Sequence, residues 1–169
     1  GAGEGDSTAI TDHVTSIPMT CNPYPHLHVH NTMSFIYTLK TKELTLRQET
    51  PPDVIGMLNS FINGLASDGF HSDHALFKTK RWEALFCPSG FHEGFPKFAK
   101  RGKYWRLTIH CDINYGSEEI EQFALWITPF LAGHKPREYI GWYRHDNSNY
   151  GERNNVYVER AIPATYSVN

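Results

Sequence analysis

The sequence predicts an α+β fold, a mainly antiparallel sheet with two helices on one face. Two observations carry this expectation. Short runs rich in aromatic and β-branched residues fall in neighbouring, hairpin-like pairs. Between them, two stretches space their apolar residues three and four apart, which puts each set on one helical face.

The first strand is expected over 34–39, from Ser34 to Leu39, and a second, alternating one over 44–48. Thr50-Pro51-Pro52-Asp53 reads as a helix start, with a hydroxyl cap and prolines in the first turn. Val54, Met57, Leu58, Phe61, Ile62 and Leu65 then form one apolar stripe, so a helix is predicted near 52–65, ended by Ser67-Asp68-Gly69. Residues 80–86, centred on Trp82, have strand character, and 88–102 reads as a long loop carrying Phe91, His92, Phe95 and Phe98 among glycines. Residues 104–111 form the next strand. Ser117-Glu118-Glu119 places acid at the positive end of a second helix over 117–132, with Ile120, Phe123, Ala124, Ile127 and Leu131 inward. Strands over 138–145 and 154–161 close the domain around the polar loop 146–153. The order suggests a ββαβ/βαββ pseudo-repeat, with Trp82 and Trp142 on matching strands.

Residues 1–32 differ from the rest, being rich in Ser, Thr, Pro and Gly without a periodic apolar face. They are read as a loose N-terminal arm, and 33–169 as a single α+β domain of ordinary size within the 169-residue chain.

Charge and cysteine usage narrow the partners. A formal net charge of −2 argues against a dedicated duplex-DNA binder, which would carry a broad basic face. The local group Lys97, Lys100, Arg101, Lys103 and Arg106 reads as a solvated loop and strand start. Three widely spaced cysteines, Cys21, Cys87 and Cys111, imply no disulfide framework, so a reducing, cytoplasmic setting is expected. No apolar run is long enough for a membrane span, and Gly1 to Asp6 has no signal-peptide pattern.

From residue 33 onward the order of landmarks resembles a group of small uncharacterised proteins carried by bacterial phages, prophages and other mobile elements. The landmarks are the Thr-Pro-Pro helix start, Phe77-Lys78-Thr79-Lys80-Arg81-Trp82, the Leu107-Thr108-Ile109 strand, Trp126-Ile127-Thr128-Pro129 and Ile140-Gly141-Trp142-Tyr143-Arg144. The resemblance spans about 33–160 and implies a mobile-element cargo role, of immunity or anti-defence type, without implying a mechanism.

Two sets of residues are candidates for function. In a strand, His26, His28 and His30 would share one face and offer imidazoles to a divalent metal such as Zn, with His71, Asp73 or His74 completing the site. That pattern would suit a metal-dependent hydrolase. The other set is aromatic and basic: Phe91, Phe95, Trp142, Arg144, Tyr150 and Arg153, on the two long loops and the strand beside them. Rings beside guanidinium groups can stack a base or clamp a peptide. With no Ser-His-Asp order, phosphate loop or metalloprotease helix in the chain, the expected function is non-enzymatic binding of a protein partner or small molecule.

Overall fold

The computed structural model describes residues 16–17, 21, 35–133, 135–145 and 153–158. It has the predicted α+β architecture. Strand β1 is Ser16–Ile17, β2 Ile36–Thr41 and β3 Leu44–Thr45, followed by helix α1, Pro52–Asn63, and strand β4, Phe70–His71. Then come β5 (Lys97–Arg101), β6 (Tyr104–Thr108), β7 (His110–Asn114), helix α2 (Ser117–Ile127), β8 (Tyr139–His145) and β9 (Arg153–Tyr157). Every pairing among them is antiparallel.

Strands β7-β2-β8-β9 form a four-stranded sheet, and β3-β6-β5 a three-stranded one. The two are joined because β2 leads into β3, and β6 into β7, across Ile109 alone. Thr41 stitches this junction: its N–H donates to the Ile109 carbonyl at 2.8 Å and its hydroxyl accepts the Ile109 N–H at 2.9 Å. The register slips by one residue there, from Lys40↔His110 to Leu44↔Leu107, a local irregularity of the bulge kind that bends the ribbon.

Side-chain alternation holds straight through the junction. Trp105, Leu107, Ile109, Cys111 and Ile113 face the core, while Tyr104, Arg106, Thr108, His110 and Asp112 face outward. Both helices send their stripes into that same core: Val54, Met57, Leu58, Phe61 and Ile62 from α1, and Ile120, Phe123, Ala124, Trp126 and Ile127 from α2. Burial of each large apolar side chain is worth about 1.5–3 kcal/mol. Phe77 sits at the centre of an aromatic cluster, edge-on to Phe70, Trp82 and Trp126 at 5.2, 5.0 and 5.5 Å.

Several expectations are corrected. Residues 80–86 do not form a strand: Trp82–Leu85 is a 3-10 turn that drives Trp82 into the core. Its start is held by Glu119, buried on α2, whose carboxylate accepts the Arg81 N–H at 3.0 Å. The Trp82 strand of the suggested repeat is therefore not formed. The loop 88–102 ends early, because 97–101 is strand β5. Only Phe98 of that strand is buried, and its remaining residues are exposed as on an edge strand. Helix α1 stops at Asn63, where Gly64 takes a left-handed conformation (φ 67°) and its N–H caps the Ser60 carbonyl at 3.1 Å. Thr50 is no N-cap; its hydroxyl donates to the Arg47 carbonyl at 2.6 Å. Helix α2 stops at Ile127, and Thr128–Phe130, containing Pro129, continues as a 3-10 turn.

Within the segment expected as an arm, Ser16 and Ile17 pair with His71 and Phe70 of β4, and the Cys21 thiol donates to the Phe61 carbonyl at 3.2 Å. Among the described residues no helix is long and apolar enough to cross a membrane.

Candidate functional site

The buried core lies on one face of the four-stranded sheet. The other face carries the polar side chains that alternation turns outward. Across it, in neighbouring positions, lie His110 and Asp112 on β7, Lys40 and Thr38 on β2, Trp142 and Arg144 on β8, and Arg153 on β9. Register fixes this arrangement: Lys40 is opposite both His110 and Trp142, and Thr38 opposite both Asp112 and Arg144.

Asp112 organises the β7 edge. One of its carboxylate oxygens accepts the Thr38 hydroxyl at 2.8 Å and pairs with Nε2 of His92 at 2.8 Å. Thr38 is only 6% exposed, so the carboxylate satisfies a hydroxyl that water barely reaches. His92 is thereby held flat on His110, with ring centroids 3.7 Å apart. Phe95 meets His110 edge-on at 5.6 Å, and the Lys97 ammonium lies over the Phe95 ring at 4.8 Å. His110 is held below the ordinary imidazole range, first by burial and then by the nearby His92 and Lys40, against the pull of Asp112. Its neutral form is thereby favoured.

At the other edge the Arg153 guanidinium stacks over Trp142 at 4.4 Å from the ring centroid. Arg144 is paired opposite Arg153 and shares this face.

The structure thus brings together Trp142, Arg144 and Arg153, and puts Phe95 at the opposite edge of the same face. It does not bring Phe91 to them: that ring is 72% exposed. Phe95 also borders a cavity of about 640 Å³ whose lining includes Pro88, Gly90, Pro96 and Asn63, and which Trp142 does not reach. Tyr150, His26, His28 and His30 lie outside the described residues. Of the residues expected to complete a metal site, His71 lies on β4, and His74 caps a 3-10 turn with Nδ1 accepting the Leu76 N–H at 3.1 Å. Burial lowers the His74 pKa, with Asp73 opposing. Among the described residues no group of three or more His, Cys, Asp or Glu could hold a metal ion.

Lys40, His110, Asp112 and Thr38 were not singled out by sequence reading. The signal was present in the alternation Arg106-x-Thr108-x-His110-x-Asp112, every second residue polar along one strand.

The Thr38 hydroxyl is buried and committed to Asp112. The two imidazoles are stacked on each other. Cys111 faces the core, where burial pushes its thiol far above the usual range. Compared with family models, curated proteins and solved structures, the chain matches none of them.

Proposed function

We propose that this protein is a binding module whose outward sheet face takes a small anionic ligand carrying a flat ring. The observation that carries the reading is the Arg153–Trp142 stack beside Lys40 and Arg144 on the face turned away from the core. A ring stacks on the guanidinium or indole plane, and an acidic group pairs with the exposed Lys40. The resemblance to proteins of phages and mobile elements supports a role as cargo of such an element.

The test is a thermal-stability screen with nucleotides, sugar phosphates and aromatic carboxylates, run on the native protein and on Trp142→Ala. Ring-bearing anions should raise the melting temperature of the native protein, by about 2.7 kcal/mol of stabilisation at a hundred times Kd, and lose that effect in the variant. A screen in which no anion stabilises, or in which the variant responds equally, refutes the reading.

A metal-dependent hydrolase built on His26, His28 and His30 is the alternative. Metal analysis of tag-free protein with and without His28 decides it: a stoichiometric metal lost in the variant would favour that alternative.

A further inference from the structure

The outward face extends beyond Trp142. Strands β6 and β7 run as one from Tyr104 to Asn114, and their outward residues continue the face into the three-stranded sheet. At about 3.3 Å per residue this is a track of about 33 Å. Three rings are spread along and across it, each with a cation over its plane: Tyr104 under Lys103 at 5.6 Å, Phe95 under Lys97 at 4.8 Å, and Trp142 under Arg153 at 4.4 Å. Further cations lie between them. Arg101 and Arg106 share one carboxylate, Glu43, and Lys40 is exposed. A chain of net charge −2 thus places a surplus of positive charge on this one face.

We infer that the occupant of this face is a single strand of nucleic acid, its bases stacked on the rings and its phosphates on the intervening cations. The inference rests on the binding reading above and extends its small ring-bearing anion to a strand of linked ones. Regular interleaving of rings with cations suits a single strand, which exposes base faces and phosphates together. A duplex hides its base faces, leaving the rings without a role. An acidic peptide would use the cations but would not need a ring beside each. Guanidinium planes stack bases as well as rings do, so Arg153 can hand over its place on Trp142 or serve as the platform itself.

The experiment is fluorescence anisotropy with labelled oligouridylate and oligothymidylate about ten nucleotides long, within the span of known single-strand sites. The comparison ligands are the same-length duplex, polyglutamate and uridine monophosphate. Both oligomers should bind more tightly than the duplex and the monophosphate by about tenfold or more. Oligouridylate binding more tightly than oligodeoxyuridylate of the same length would indicate recognition of the 2′-hydroxyl, and equal binding would indicate recognition of bases and phosphates alone. With about four phosphates neutralised, log K should fall against log salt with a slope of roughly −3. Trp142→Ala should weaken binding about 5- to 150-fold, one stacked base's worth. Arg106→Glu should weaken it and flatten the salt slope. Lys78→Glu, exposed on the 3-10 turn beside α2, should leave affinity unchanged. Circular dichroism confirms that each variant folds. The inference is overturned if duplex or polyglutamate binds as tightly, or if Trp142→Ala binds as well as native protein. If the oligomers fail while ring-bearing anions still stabilise in a Trp142-dependent way, this inference falls and the binding reading stands; if neither binds, both fall.

Discussion

Replacing Asp112 with alanine tests the organisation of the site. The native carboxylate receives the Thr38 hydroxyl and His92 Nε2, each at 2.8 Å. A hydrogen bond to a charged acceptor contributes about 1.5–3 kcal/mol in favourable settings. Here the Asp112 side chain is 27% exposed, so water replaces part of what is lost. Thr38 has no such relief, because it is buried. The expected cost is about 1–3 kcal/mol in urea unfolding, most of it from the stranded hydroxyl. Asp112→Asn keeps an acceptor oxygen for Thr38 and should cost about 1 kcal/mol. A second readout separates this from a generic surface effect. Asp112 supports the protonated form of His110 against burial, His92 and Lys40. Its loss should therefore move the His110 titration, followed by NMR, further down. A cost under about 0.5 kcal/mol together with an unmoved His110 titration would show that Asp112 is a solvated surface acid and not the anchor of the site.

Phe61→Ala and Ile127→Ala, truncating the two helical stripes inside one core, should each cost about 2–5 kcal/mol in chemical denaturation, and a cost below 1 would remove that helix from the core. A Cβ at Gly141 would lie 2.3 Å from the Lys40 carbonyl and 2.8 Å from Thr41 Cα, so Gly141→Val should prise β8 from β2. Its cost is expected at about 3 kcal/mol or more in urea unfolding; a variant as stable as the native protein would contradict the close approach. His110 and His74 both titrate below their unfolded value of 6.5. The unfolded chain therefore takes up protons first as the pH falls. The stability tied to these neutral imidazoles is complete above 6.5 and is lost on the acid side, down through the folded values. Urea unfolding at neutral and mildly acid pH should show this decline, and His110→Asn should flatten it; an unchanged slope would refute the contribution of His110.

Much of the scaffold was legible in the sequence because its signals are local. The apolar spacing of α1 and α2 and the aromatic runs of β2, β6 and β8 each declare their period within a few residues. What misled was of two kinds. Trp82 has a strand-forming side chain, yet Glu119, distant in sequence, holds the backbone before it in a 3-10 turn. Strand β5 buries only Phe98, so its charged residues imitate a loop. The candidate face was half legible. Trp142, Arg144 and Arg153 stand out in the sequence as a ring and cations near a polar loop. The Asp112–His92–Thr38 cluster does not, because it joins residues 74 and 20 positions apart that only strand register brings together.

Ligand binding by the outward face of β7-β2-β8-β9 can be read from amide proton–nitrogen NMR spectra of the full chain, recorded while titrating uridine monophosphate. Shifts should concentrate at Thr38, Lys40, His110, Asp112, Trp142 and Arg144 and saturate together with one Kd. Shifts clustered on α1 or α2, or none at concentrations well above a millimolar Kd, which corresponds to about −4 kcal/mol, would contradict it.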